Sequence, residues 1–564
     1  MAFRGVGVSL VAAALTALLI AAHAAAIFNA LERPLDSDEG EFLHASWLMS
    51  EGVVLYRDFM EDHPPFTFQM LQWLQPRTPT ATYPLLDVER WTKTARIAVG
   101  LLGVVALIAL GGVAYAVSRN ALAMVIAIAL AVQDPRIWYR GLADIRADPP
   151  AMACFWVGAL LIIAAFRPDP RRRDAVFSGV GIALLFAAAL LNPKWPLQSL
   201  VLGVVFVMTW WRLWTIRRAD AVLALLPTVA VAVTALAAIA SITTFRDYFY
   251  FTFELKMAIR DYVVAANLYE IRGKRNIWNS IPSRGVIVAA IAVIVLLGSR
   301  RWQLSLDRSR FTLLTIVLFA ALAERLLYFP YSLMWPQYSI GTGTATAVMT
   351  GVLAAIALHE CSAALLRRRT SSQDAVLTFV LIAIAIAVLV VLACIHIPHS
   401  FERPAEHWRK SWEVRAGIQS NLRPAERVWI GPNLHPIAAR DSSYYWYAFG
   451  DVVAGAMHHG RTAAHPRIPV LTERDLPPCR IASGGDTQTR FLELGSWMSE
   501  YPELRRCVVA LVDAGALRTT PYRGLYEVER ASAPPARWAE AVIPERLGLQ
   551  SLRARAAFTD AGRP

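Results

Sequence analysis

DSDEGEFLHASWLMSEGVVLYRDFMEDHPPF, residues 36–66, follows directly on an apolar run at 6–31 that is long enough to span a bilayer. The stretch holds eight carboxylates, Asp36, Asp38, Glu39, Glu41, Glu51, Asp58, Glu61 and Asp62, and closes on His63-Pro64-Pro65-Phe66. Charged side chains are costly in lipid. The run before the stretch therefore reads as a membrane helix, and the stretch itself as the start of a loop lying against the membrane.

The rest of the chain fits that beginning. Of 564 residues, 56% are hydrophobic and only 18% charged, with a mean hydropathy of +0.41. A soluble protein carries about a quarter charged residues, so repeated apolar runs at this length indicate a polytopic membrane protein. The net charge of +13 would suggest nucleic acid in a soluble chain. Here much of the excess is Arg in short loops between apolar runs, and no basic stripe with interleaved aromatics lies outside them, so no nucleic-acid partner is expected. The N-terminus, with Arg4, an apolar run and AHA at 22–24, has features of a cleaved signal peptide. Its apolar run is longer than a usual signal core, which favours an uncleaved anchor.

About eleven apolar spans can be placed, at 6–31, 97–117, 120–133, 149–166, 175–191, 196–211, 221–244, 285–299, 311–329, 338–358 and 375–397. Several fall short of the ~20 residues of a straight crossing, so their ends should extend into polar sequence. With the N-terminus cytoplasmic, the even-numbered spans exit into SRN (118–120), RPDPRRRD (167–174), RLWTIRR (212–218), SRRWQLSLDRSR (299–310) and LLRRRT (365–370), all basic, as the positive-inside rule requires. The outside segments are then 32–96, 134–148, 192–195, 245–284 and 324–337. The organisation expected is a mainly α membrane bundle over 1–397 and an extracytoplasmic α/β domain over 398–564. In the tail long apolar runs stop, and RVWIG (427–431) and CVVALVD (507–513) read as buried strands.

Five Cys are present and no CxxC, which gives no zinc or redox motif. Cys154, Cys361 and Cys394 lie in or beside apolar runs, whereas Cys479 and Cys507 both fall in the outside tail, where a disulfide between them is expected. His396 and His399, flanking a Pro at the last span's exit, make a poor metal site by themselves.

Ionisable residues gather on the outside segments. Asp36-Ser37-Asp38-Glu39 fits a capping box opening a helix through Trp47 and Met49; the alternative for Asp38 and Glu39 is a general base and its electrostatic partner. Glu61, Asp62 and His63 before Pro64-Pro65 form either a surface turn that stops a helix or a rigid loop presented above the membrane. Asp148 before Pro149 is a natural N-cap with Pro at N1. Arg146, with Asp144 and Asp148 near, is suited to binding a lipid phosphate bidentately. Lys194, in a very short outside turn, either snorkels or contacts phosphate. Arg325 ends a span beside Glu324, where ionisable residues point to function. DSSYYWY (441–447) either stacks on sugar rings or belongs to a core, with the core reading favoured.

The order of these pieces resembles the GT-C superfamily of integral-membrane glycosyltransferases, most nearly the branch of protein O-mannosyltransferases and the lipid A aminoarabinose transferase. Asp38-Glu39 match the acidic pair near the start of that branch's first outside loop. Gly52 and Tyr56 follow, and then Glu61-Asp62-His63-Pro64-Pro65-Phe66 match its later acidic-basic-Pro-Pro-Leu element, with one extra acid and Phe in place of Leu. The resemblance implies inverting transfer of a sugar from a polyprenyl-phosphate donor to a lipid, glycan or protein acceptor on the outer face. Asp38 is then the base, and Arg146, Lys194 and His63 stand near the departing phosphate. A divalent metal such as Mg or Mn held by carboxylates is compatible with it. The Ala- and Arg-rich composition suits a GC-rich bacterium and hence an inner membrane. The competing readings are a transporter or flippase, which should show charged or broken segments at span centres, and a membrane-anchored assembly protein. Few central charges are seen, and the polar residues cluster on one side.

Overall fold

The computed structural model describes residues 2–31, 33, 35–76, 84–133, 137, 142, 144–255, 257–259, 340–367, 405–444, 457, 472–494, 501–522 and 524–529. Arg325, the expected spans at 285–299, 311–329 and 375–397, His396 and His399, and Tyr445–Tyr447 lie outside the described residues.

The apolar runs among the described residues are helices. In chain order they are α1 Ala2–Ala30, α4 Pro84–Ser118, α5 Ala121–Gln133, α6 Asp148–Ala165, α7 Arg172–Leu191, α8 Pro196–Ile216, α9 Arg218–Ile242 and α11 Ile340–Arg367. Between them run α2 Ser37–Ser50, α3 Pro65–Trp73 and the short α10 Phe245–Phe249. Among the described residues five helices, α4 and α6 to α9, are long and apolar enough to cross a membrane, and α1, α5 and α11 carry shorter apolar stretches. At 1.5 Å per residue, the 13 residues of α5 reach about 20 Å, less than the ~30 Å of a bilayer core. α4 begins well before the apolar run expected at 97–117, so more polar turns carrying Glu89 and Arg96 precede that run in one continuous helix.

α6 packs extensively on α4 and α7, and α5 on α4 and α11. α6 and α7 approach at Gly158 and Gly181: a Cβ at either would lie within 2.8 Å of the other's carbonyl oxygen. This is the close crossing that small residues allow in lipid. Leu200, Val204, Val207 and Trp211 of α8 and Val222, Leu226, Val229 and Val233 of α9 point outward, a face that water would penalise and acyl chains would cover.

The tail contributes α12 Ala405–Ser420, α13 Pro477–Ala482, α14 Pro502–Asp513, and a four-stranded sheet in the order β1-β2-β4-β3. β1 Arg427–Trp429 pairs parallel with β2 Thr489–Glu493. β4 Leu525–Val528 pairs antiparallel with both β2 and β3 Leu517–Thr519. RVWIG is a strand, as expected. The segment 507–513 is instead the C-terminal half of α14. Its β-branched residues suggested a strand, but Leu504 and Leu511 are buried while Val509 and Val512 face out, the spacing of one helical face. Pro502 at the first helical position starts it. Cys479 and Cys507 are joined by a disulfide that ties α13 to α14.

The sheet does not stand apart. Trp429, Leu492 and Val528 share one hydrophobic core with Phe42, Leu43 and Leu48 of α2 and Trp91 of α4.

Candidate active site

Asp36 caps α2. Its side chain accepts from the Asp38 amide at 3.2 Å, and Glu39 Oε2 accepts from the Asp36 amide at 3.1 Å, closing the expected capping box. This first turn sends Asp38 and Glu39 to different environments. The Asp38 side chain remains 26% exposed. Glu39 is fully buried between Arg33, at 2.7 Å, and Arg96, at 2.7 and 3.1 Å, and Arg33 also donates to Asp144 at 2.5 Å. Burial alone would raise the Glu39 carboxyl, but Arg33 and Arg96 hold it well below the usual range. Burial pushes Asp144 up to about 7, against the pull of Arg33.

Arg146 pairs with Asp38 through its terminal nitrogen and lies 3.4 Å, through Nε, from Asp148. Lys194 Nζ donates to both oxygens of Asp148, at 3.0 and 3.3 Å, and Asn192 adds a third bond at 3.0 Å. Asp148 therefore does not cap α6 as the sequence suggests. It is the first helical residue, after Ala147, and its carboxylate is held by Lys194 from the α7–α8 turn and by the neighbouring Arg146. Lys194 keeps a 13% exposed side chain turned toward that carboxylate and does not snorkel.

The second cluster sits on the loop between α2 and α3. The Pro-Pro pair opens a helix instead of stopping one: Pro64 is the N-cap residue and Pro65 the first residue of α3. His63 Nδ1 lies 2.8 Å from Glu61, 3.0 Å from Asp62 and 3.2 Å from Glu41. Tyr56, with φ +68°, adopts the left-handed backbone, stacks on Phe251 and donates from its hydroxyl to the His63 carbonyl at 2.6 Å. A bulky residue held there is a marked backbone constraint, and it fixes the height of the His63 loop. Burial first, then the charge of Glu61, pushes Glu41 up to about 8, while His63 opposes the shift.

The two clusters are within electrostatic reach of each other, since His63 acts on Asp148 and Asp38 on Glu41. The fold thus brings Asp38, Glu39, Glu61, Asp62, His63, Arg146, Asp148 and Lys194 to one membrane-proximal region. Asp38, Asp62, His63 and Lys194 retain exposed surface there. Reading the sequence singled out no role for Glu41, Arg33 or Arg96. The spacing of Glu41 two residues from Glu39 was visible, but only the placement of His63 against it gives it a partner.

Glu41, Glu61, Asp62 and His63 also place one ligand atom each within 4.8 Å of one another. Three carboxylates and an imidazole fit a divalent cation such as Mn or Mg.

No family model and no curated protein sequence matches the chain. Among solved structures, the crystal structure of ArnT from Cupriavidus metallidurans bound to undecaprenyl phosphate aligns with 92% of this chain and 99% of its own, at a TM-score of 0.55 and 16% identity. The apo structure of the same protein aligns with 93% and 100%, at 0.53 and 15%. The likeness is one of fold, and it extends over nearly the whole of both chains. It supports, at the level of fold alone, the mainly helical membrane architecture expected from the sequence.

Proposed function

We propose that this chain is an inverting glycosyltransferase that moves a sugar from a polyprenyl-phosphate donor to a lipid, glycan or protein acceptor at the outer face of a bacterial inner membrane. The observation that carries the reading is the meeting of an exposed carboxylate, Asp38, with Arg146, Asp148 and Lys194 in a fold shared with a protein crystallised with undecaprenyl phosphate.

The chemistry assigns each group a task. The acceptor hydroxyl gives its proton to Asp38 as its oxygen bonds to the anomeric carbon, and the bond from that carbon to the phosphate oxygen breaks on the opposite face. The departing lipid phosphate gains charge, which Lys194 and Arg146 are placed to offset, held by Asp148 so that they need not reorganise. Glu39 touches no substrate in this scheme. Bound to Arg33 and Arg96, it fixes the first turn of α2 and hence Asp38. Glu41, Glu61, Asp62 and His63 would hold a divalent cation, which supplies positive charge for the phosphate when bound. The N-terminus is then cytoplasmic and the tail periplasmic, and the Cys479–Cys507 disulfide accords with an oxidising compartment.

The test is a panel of radiolabelled polyprenyl-phosphate sugars offered to the protein in nanodiscs, with release of lipid phosphate followed for wild type and Asp38→Asn. Donor-dependent turnover lost in the variant is expected. If no donor binds, and Asp38→Asn leaves the cellular phenotype intact, the reading fails.

A further inference from the structure

α6 leaves the candidate active site at Asp148, α7 returns to it at Leu191, and α8 starts from it at Pro196. The turn between α6 and α7, RPDPRRRD (167–174), and the junction of α8 with α9, RLWTIRRAD (212–220), therefore lie together at the far end of these helices. The two segments hold seven arginines, Arg167, Arg171, Arg172, Arg173, Arg212, Arg217 and Arg218, against three aspartates.

Their convergence is tertiary. Arg212 donates to the carbonyl of Arg167, 45 positions away, at 2.8 Å, and its guanidinium lies over the Phe166 ring at 4.8 Å. Trp210 donates to the Ala221 carbonyl at 3.1 Å, which closes the end of α8 on the start of α9.

The three acids leave the surface cationic. Asp174 is turned inward, with its side chain 1% exposed, and accepts from the Arg171 amide at 2.8 Å. Arg167 and Arg173 come no nearer to it than 3.8 Å, and Asp220 stands 3.9 Å from Arg217. These separations exceed hydrogen-bond range. Asp169, Arg171 and Arg172 are exposed, and none of them forms an ion pair among the described residues. The guanidinium donors of both segments thus face outward, in the fork geometry that grips a phosphate.

Within about one helical turn of these cations the surface becomes apolar. Val176 and Phe177 of α7, Trp211 and Trp214 of α8, and Val222 and Leu226 of α9 are all exposed. Tryptophan beside arginine at the end of an apolar helix marks the level of the lipid headgroups. The sign of the charge follows from insertion topology. Insertion does not require two separate loops to meet, nor a buried acid beneath them.

We infer that this surface binds an anionic phospholipid of the adjoining leaflet, its phosphate on the guanidiniums of both segments and its acyl chains along the apolar face of α7 to α9. Basic surfaces between helices at this depth suit such headgroups. The inference does not depend on the transferase reading.

Native mass spectrometry of the full-length protein in detergent tests it, with phosphatidylglycerol, phosphatidylcholine of the same acyl chains, and water-soluble glycerol phosphate as probes. The comparison is Arg171→Gln/Arg172→Gln/Arg218→Gln, all at exposed positions. Wild type should retain phosphatidylglycerol about tenfold or more tightly than phosphatidylcholine, and the variant should lose that preference. The triple replacement by Lys, which keeps the charge and the topology, should recover most of it. Equal retention of the two lipids by wild type, or an unchanged preference in the Gln variant, would overturn the assignment. Displacement of the lipid by glycerol phosphate would replace it with a soluble phosphate site. Hydrogen exchange on wild type needs no variant: phosphatidylglycerol should slow exchange at 166–173 and 212–220, and slowing confined to other segments would also overturn it.

Discussion

Gly40 of α2 lies against the carbonyl of Pro432, nearly 400 residues later: a Cβ at position 40 would sit 2.5 Å from the Pro432 oxygen. The only residue type without a Cβ thus stands between Glu39 and Glu41, where the tail presses on the helix that carries both. The tail loop is fastened from its other side by buried Arg415, which donates to the carbonyls of Asn433 and His435 at 2.5 and 2.9 Å. Gly40→Ala should force the two apart and cost about 1–3 kcal/mol, the usual range for overpacking. Hydrogen exchange would show faster exchange in both α2 and residues 432–441. Unchanged exchange in both segments would mean that the contact is not made.

Asp38 and Glu39 are neighbours in sequence with opposite exposures, so their variants should separate. Asp38→Asn should fold normally, retain donor binding and lose about 10²–10⁴-fold in turnover, the range for a missing general base. Glu39→Gln leaves Arg33 and Arg96 short of a buried counter-charge and should cost about 3–5 kcal/mol of stability. Thermal midpoints of the two proteins decide the matter. Equal midpoints, with turnover lost in both, would move Glu39 into the chemistry.

The contact between α2 and the tail should be sensitive to acid. Burial, then the charge of His44, lowers His435 from its ordinary value near 6.5 to about 4. A histidine depressed in the folded state resists a proton that the unfolded chain accepts. Stability therefore falls as pH drops from 6.5 toward 4, by up to about 3 kcal/mol if the whole difference is expressed. Asp441 works in the same direction at lower pH. Opposed by burial but held by His44 and His435, it is lowered to about 2, and its contribution, present above its ordinary value near 3.8, is lost as pH falls toward 2. Glu41 and Asp144, raised to about 8 and about 7, work the other way as pH falls, so the measurement is the difference between wild type and His435→Gln, whose midpoints should converge between pH 6.5 and 4. A difference that stays constant over that interval would contradict the assignment.

The four-residue donor set at His63 makes a prediction independent of turnover. Mn²⁺ titrated into the purified protein should give a bound electron paramagnetic resonance signal. Glu61→Gln, which removes a fully buried ligand, should weaken binding by roughly 10–100-fold or more, since even outer-shell substitutions reach that range. A wild-type protein that leaves all Mn²⁺ free would show that these acids manage without a cation.

The Cys479–Cys507 link closes a segment with a sequence separation of 28. Loop-closure entropy gives about 3–4 kcal/mol for its loss. Denatured, unreduced protein should therefore show only Cys154, Cys361 and Cys394 reactive toward a thiol reagent. Reduction should lower the unfolding midpoint of the tail before that of the membrane helices. Five reactive thiols would exclude the bond.

Much of this protein is legible one segment at a time. The apolar runs, the capping box at Asp36–Glu39, the strand at 427–429 and the basic loop ends follow from hydropathy, capping chemistry and period, which are local properties of the chain. The same local reasoning failed at 507–513, where β-branched composition outweighed a helical burial period, and at Asp148, where a cap position was overridden by Lys194 in the turn between α7 and α8 and by Arg146. What only the tertiary structure decided is which charges meet. Glu39 finds Arg96 and Arg33, Arg146 finds Asp38, Lys194 finds Asp148, and the tail loop finds Gly40 across a separation of nearly 400 residues. A buried charge is stable only when paired, and no periodicity in the chain encodes a partner that lies on another element.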